Sequence, residues 1–240
     1  MSSSGKLILR VGGRQSRLSR AQVFEVLSEI QAFHPHVEFE PVWLETTGDR
    51  DLATSLRNLE KTDFFTKEID QKQVQGEFRI SIHSAKDLPE PLASGLQIVA
   101  LTKGVDSSDV IVLRKDHLPF GAKIGTSSVR REQNIKDLRS DLVCADIRGT
   151  IDSRLEQLDA GDYDGIVMAE AALIRLGLAD RKRITLPGEC APLQGQLAVI
   201  ARANDEEMAQ LFSCIDTRGG YEKSLVSGNG SDAVCSPRAF

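Results

Sequence analysis

Two hydrophobic periods alternate along this chain. Residues 7–11 form a short apolar-rich run closed by Gly12 and Gly13, the pattern of a strand and its exit turn. Val23, Val26, Leu27 and Ile30 follow at the i, i+3, i+4, i+7 spacing of a helix with one buried stripe. His34-Pro35-His36 ends that helix, because proline disfavours helix at the residue before it. Residues 37–44 read as a second strand and 46–49 as its exit loop. Residues 64–74 read as a helix, and Phe78, Ile80 and Ile82 alternate into a strand that stops at Lys86-Asp87.

From about residue 105 the pattern restarts. Strands are predicted at 110–113, 123–126, 142–147 and 166–169, with a helix opening near Ser128 and others over 150–158 and 171–176, the last ended by Gly177. Residues 197–201 and a helix around 208–212 close one of the two units. Strands alternating with helices of this length imply an α/β fold with largely parallel sheets. The expected architecture is two α/β lobes with a cleft between them, the chain crossing from one to the other more than once.

Composition narrows the function only a little. The 240 residues are 40% apolar and 27% charged, ordinary for a globular protein, and can fill one large or two modest cores. A formal net charge of −5 disfavours a nucleic-acid backbone binder. The polar start, Met1-Ser2-Ser3-Ser4-Gly5-Lys6, lacks a signal peptide's apolar run, and no stretch reaches the roughly 20 apolar residues that span a bilayer. A cytoplasmic protein without membrane partners is expected. Four cysteines without a CxxC pair do not suggest a disulfide framework. Cys235, in a polar Gly/Ser/Asp/Asn setting, is open to two readings, an incidental thiol or a functional one.

The chemistry concentrates at strand exits, where open α/β sheets bind ligands. Lys86-Asp87 before Pro89 suits a solvated charge pair opening a turn. It equally suits a division of labour, the lysine holding an anionic substituent while the carboxylate stabilises positive charge on a reacting group. Gly125-Thr126-Ser127-Ser128 is a strand-to-helix junction able to bind an anion, and serine there is also an ordinary N-cap. Arg130 and Arg131 just inside the helix are unfavourable with its dipole, which points to a compensating anion. Arg14 and Ser16, Arg148 and Gly149, Arg154 and Arg175 repeat this placement, and guanidinium groups bind carboxylates bidentately. One carboxylate facing many arginines is what a cation-forming reaction on a polyanionic substrate needs. No spacing resembles a metal site, a Ser-His-Asp constellation or a nucleotide-binding glycine motif.

Taken in order, Gly13-Arg14-Gln15-Ser16-Arg17-Leu18, Thr47-Gly48-Asp49, Phe65-Thr66-Lys67-Glu68, His83-Ser84-Ala85-Lys86-Asp87-Leu88-Pro89, Gly125-Thr126-Ser127-Ser128-Val129-Arg130-Arg131, Ile147-Arg148-Gly149, Arg175-Leu176-Gly177-Leu178 and Gln194-Gly195 resemble the porphobilinogen deaminase family over residues 6–215. The resemblance implies two lobes like those of periplasmic binding proteins, with 1–102 and 197–215 in the first and 103–196 in the second. It makes 216–240 a reduced remnant of a third α/β domain, a short form of the family. It implies a transferase that joins four porphobilinogens head to tail, through an azafulvenium cation and with loss of ammonia, to give hydroxymethylbilane. The primer would be a dipyrromethane cofactor held by a thioether to Cys235. Asp87 would be catalytic. Lys86, Ser16, Thr126, Ser127, Ser128, Arg130, Arg131 and Gly149 would hold the cofactor, and Arg14, Arg148, Arg154, Arg175, Gln194 and Phe65 the substrate. The family also implies a monomer. Two departures stand out: no glycine pair precedes Cys235, and residues 58–63 (Asn-Leu-Glu-Lys-Thr-Asp) replace a basic, glycine-rich loop. The competing expectation is a non-catalytic two-lobe protein that binds a tetrapyrrole or another polycarboxylate.

Overall fold

The computed structural model describes residues 6–58 and 61–219, so Cys235 lies outside the described residues. In chain order the elements are β1 (Leu7–Arg14), α1 (Arg17–Gln31), β2 (Val37–Leu44), α2 (Thr47–Arg50), α3 (Lys67–Val74), β3 (Ile80–Ser84), β4 (Leu96–Leu101) and β5 (Asp109–Leu113). They continue with β6 (Lys123–Gly125), α4 (Val129–Leu138), β7 (Val143–Ala145), α5 (Ile151–Ala160), β8 (Gly165–Ala169), α6 (Glu170–Arg175), β9 (Arg183–Leu186), β10 (Leu197–Arg202) and α7 (Glu206–Phe212).

The strands build two five-stranded sheets, ordered β2-β1-β3-β10-β4 and β7-β6-β8-β5-β9. The orders correspond strand for strand. In each, the first three strands pair in parallel, and the fourth arrives from the other lobe and pairs antiparallel with both neighbours. The sheets are therefore mixed rather than largely parallel. The cause is the double crossing, over residues 102–108 and 187–196, since a strand entering from the far lobe runs against its hosts. The expected helix at 64–74 is also shorter: a single 3₁₀ turn (Asp63–Phe65) precedes α3.

Burial explains why the crossing strands look so apolar. On β5, Val110 and Val112 pack with Leu155, Leu158 and Leu173 on one face, while Ile111 and Leu113 pack with Ile124, Ile135 and Leu142 on the other. On β10, Leu197, Val199 and Ala201 join Val23, Val26, Met208 and Phe212, and Ala198 and Ile200 face Leu88 and Leu96. A strand covered on both faces reads as a continuous apolar run.

This packing sends the carboxyl ends of β1, β3, β6, β7 and β8 toward one cleft. Helices α1, α4 and α5 start there too, capped by Ser16, Ser128 and Thr150. Beneath β3 lies a fully paired polar chain. The Ser81 hydroxyl donates to Gln73 Oε1 (2.7 Å), so its oxygen accepts from His83 Nε2 (3.1 Å), and Gln73 Nε2 donates to the Ile200 carbonyl (2.8 Å). That pattern places a proton on Nε2 of His83.

Burial, with the field of Arg14 added, pushes the His83 imidazole from 6.5 down to about 4. Between those values the unfolded chain binds a proton that the folded one does not, so stability falls as pH drops through this window. Denaturant titrations from pH 7 to pH 4 should show a loss on the order of 3 kcal/mol from this residue. His83→Gln should flatten that slope; an unchanged slope would remove His83 as its source.

Candidate active site

The cleft encloses about 540 Å³. Its first wall comes from the lobe of β1 and β3. Arg14, the last residue of β1, lies against Asp49, both carboxylate oxygens accepting from its Nε at 3.2 Å, and its guanidinium sits 4.5 Å from the centroid of the Phe65 ring. Phe65 in turn lies over Gly48, where any Cβ would overlap the ring. Asp49 also accepts from the Thr46 amide (3.0 Å) and hydroxyl (2.8 Å). Burial works to raise its pKa, but Arg14 and Thr46 outweigh it and hold the carboxyl below the ordinary range.

After β3 the chain makes one 3₁₀ turn, Ala85–Asp87, pinned by the Ala85 amide donating to the Gln196 carbonyl (3.0 Å). The turn presents two adjacent charges differently. Lys86 is half-buried, its Nζ donating to Gln194 Oε1 at 3.1 Å, and desolvation lowers its pKa. Asp87 is exposed to the cleft and makes no hydrogen bond or ion pair among the described residues.

The second wall comes from the junctions after β6 and β7. Ser127 binds the backbone of Ile147 twice, Oγ donating to its carbonyl (2.8 Å) and accepting from its amide (3.0 Å). Thr126 is buried and accepts from the Ser128 amide (3.3 Å). Both hydroxyls thus shape the loop, while Ser128 caps α4 and lines the cleft. The anion expected beside Arg130 and Arg131 is supplied by the protein itself: Asp109, the first residue of β5, accepts from Arg130 (2.8 Å) and Arg131 (2.6 Å). Burial pushes the Asp109 carboxyl up, and the two guanidiniums more than reverse it.

Arg148 donates to the Asp51 carbonyl (2.5 Å) and Arg154 to the Gly149 carbonyl (2.9 Å). Gly149 has φ +109, and a Cβ there would crowd the Ser153 hydroxyl, so glycine lets this chain turn beside the cleft. Burial lowers Arg154 to about 10, with Arg131 and Arg148 adding repulsion and Asp87 opposing it. Arg148 is lowered by burial as well, with Arg14 adding to the effect. The Nε atoms of Arg131 and Arg148 are buried without a hydrogen-bond partner among the described residues.

Of the residues singled out from sequence, Arg14, Ser16, Phe65, Lys86, Asp87, Ser127, Ser128, Arg130, Arg131, Arg148, Gly149, Arg154 and Arg175 all line this one cleft. Thr126 and Gln194 are buried behind it, and Cys235 is outside the described residues. Arg175 has a second task. Its side chain, 5% exposed, donates bidentately to Glu25 (2.7 and 2.8 Å) and ties α6 to α1 across the lobes.

Sequence reasoning missed Asp49, Asp109 and the roof. Leu52, Leu56, Lys61 and Thr62 line the cleft from above, and Arg57 pins that segment to the other lobe through Glu132 and Asp146. The available signals were the Thr47-Gly48-Asp49 motif, which was given no role, and Asp109 itself, a carboxylate at the head of a strand otherwise wholly apolar.

Comparison with known proteins agrees with this geometry. Solved structures of similar shape are the probable amino-acid ABC transporter extracellular-binding protein YtmK of Bacillus subtilis (TM-score 0.50, 14% identity, 92% of this chain and 94% of that one) and the OxyR2 regulatory domain of Vibrio vulnificus (TM-score 0.52, 12% identity, 89% and 98%). At such identity the likeness is one of fold alone, a two-lobe binding-protein architecture. Sequence relatives are closer. The porphobilinogen deaminase of Fusobacterium nucleatum is 41% identical over 213 residues, covering 85% of this chain and 72% of its own length. That of Nostoc is 36% identical, covering 89% and 69%, and the probable porphobilinogen deaminase of Chlamydia pneumoniae is 40% identical, covering 88% and 91%. The family described as "Porphobilinogen deaminase, dipyromethane cofactor binding domain" matches residues 9–210, a span that includes every arginine of the cleft and Asp87. An unpaired carboxylate amid anchored guanidiniums, on this fold and within this match, places the chain in the porphobilinogen deaminase family.

Proposed function

We propose that this protein is a porphobilinogen deaminase that joins four porphobilinogens head to tail, with loss of ammonia, to give hydroxymethylbilane. The observation that carries the reading is Asp87, a carboxylate unpaired among the described residues, in a cleft whose other charged groups are mostly arginines. The primer of the family, a dipyrromethane bearing acetate and propionate groups, suits this chemistry. Buried, unpartnered Nε donors on Arg131 and Arg148, and a crowd of mutually repelling guanidiniums, call for carboxylate ligands. When bound, that group supplies the nucleophilic pyrrole to which substrate is added.

The chain's own residues do the rest. Loss of ammonia breaks the substrate C–N bond, with the electron pair leaving on nitrogen and a delocalised cation remaining. Asp87 accepts a pyrrole N–H and, lacking a competing partner, offers its full charge to that cation. Lys86, steered by Gln194, and Arg130 and Arg131, steered by Asp109, hold primer carboxylates, assisted by Ser16, Ser128 and the turn at Gly149. Arg14, Arg148 and Arg154 hold those of the incoming unit against Phe65. Arg175 closes the cleft wall from its pairing with Glu25. Leu52, Leu56, Lys61 and Thr62 roof the cleft and limit water, which would otherwise intercept the cation.

The same reading divides the chain into 1–102 with 197–215, then 103–196, then 216–240, the first two supported by the membership of the two sheets. It assigns Cys235 as the attachment residue. No helix among the described residues is long and apolar enough to cross a membrane. We take the protein to act as a cytoplasmic monomer.

Two experiments test the assignment. Asp87→Ala should lower kcat for ammonia release by at least about 100-fold. Its melting temperature should barely move, because the side chain has no bond to lose; near-normal turnover would exclude Asp87 from the chemistry. Intact-mass spectrometry of protein made in porphobilinogen-producing cells should show a dipyrromethane adduct that Cys235→Ser abolishes. An adduct that survives this substitution moves the attachment elsewhere.

A further inference from the structure

A single buried carboxylate links the two walls of the cleft. Asp109 is 0% exposed and opens β5 directly after the first crossover. Its Oδ2 accepts from Arg130 Nη2, and its Oδ1 accepts from Arg131 Nη2 and from Gln194 Nε2 (3.0 Å). Gln194 belongs to the second crossover, so the contact ties that segment to the first residue after the other crossover. The other Nε2 hydrogen of Gln194 goes to the Ser107 carbonyl (2.7 Å). With both donors committed, the amide has one orientation, and its Oε1 must face Lys86 Nζ. Arg130 is held at a second point by the Glu189 carbonyl.

From this geometry we infer that Asp109 is a positioning residue: it fixes Arg130 and Arg131 directly, and Lys86 through Gln194, in the arrangement that receives a ligand's carboxylates. Three cations are set against one carboxylate, so the cluster remains cationic and can still take an anion. What Asp109 removes is rotational freedom. Guanidiniums held in advance need not be ordered when a ligand arrives, which favours a rigid polycarboxylate whose oxygens match the fixed donors. A small symmetric anion gains little from fixed directions and loses from the competing charge. Positioning and simple charge balance thus predict different signs. The inference rests on the deaminase reading only for the identity of its ligand.

The test uses the full chain made in cells that lack porphobilinogen. Calorimetry measures two probes: a pyrrole bearing acetate and propionate but no aminomethyl group, which cannot react, and sulfate. Asp109→Asn should weaken the pyrrole by about tenfold or more while leaving sulfate unchanged or tighter. Where the wild type binds the pyrrole, both probes moving in the same direction, or neither moving, overturns the inference. If that variant does not melt cooperatively, Asp109→Glu keeps the charge and displaces the carboxylate by about 1.5 Å, one carbon–carbon bond. It should weaken the pyrrole and leave sulfate unchanged, with the same overturning outcomes. NMR of the guanidinium groups gives a ligand-free readout. Arg130 and Arg131 should show slow rotation about Nε–Cζ in the wild type that is lost in the variant; free rotation in the wild type overturns the inference. A wild type with slow rotation that ignores the pyrrole would instead count against the deaminase reading and leave the positioning role standing.

Discussion

Arg14, Arg131, Arg148 and Arg154 stand near enough for their charges to act on one another, and partial burial strengthens that repulsion. Such a cluster stays folded only if each guanidinium has something to hold it. Arg14 has Asp49, Arg130 and Arg131 share Asp109, and Arg175 has Glu25. Arg148 and Arg154 use backbone carbonyls instead, and these two carry lowered pKa values. Asp87 is the carboxylate left out of this scheme. The cleft therefore has its cations restrained and one carboxylate free among the described residues.

Restraint of this kind separates the chemistry from the fold that carries it. Amino-acid-binding and regulatory domains of the same shape share little sequence with this chain, and the fold itself does not select a reaction. Selection lies in a few side chains at the strand exits. Lys86 and Asp87 show how local this can be. One turn gives adjacent residues opposite surroundings, the lysine drawn back onto Gln194 and the carboxylate left facing open space.

Much of this was legible in the sequence. The 3.6-residue stripe of α1 and the apolar runs of β5, β8 and β10 declared themselves, because those elements are buried against large clusters. β4 and β9 did not: β9 is a four-residue edge strand, and its Ile184 and Thr185 are exposed. Parallel pairing was over-predicted because strand direction depends on the lobe a strand arrives from, which periodicity does not record. At the site, arginines near strand exits were conspicuous, whereas their internal partners were not. Asp109 lies 21 and 22 residues from the arginines it holds, and only the sheet order brings it to them.

The matching strand orders carry a consequence for how the molecule is made. Residues 109–186 contain every strand of the second sheet, so that lobe can close as soon as they have been synthesised. The first sheet is different. β4 touches it only through β10, and β10 is translated almost a hundred residues later. Until residue 202 emerges from the ribosome, the lobe that begins the chain has three strands and a gap. The half synthesised first is thus the half completed last, and the arginine-lined cleft cannot assemble before nearly the whole described chain is present.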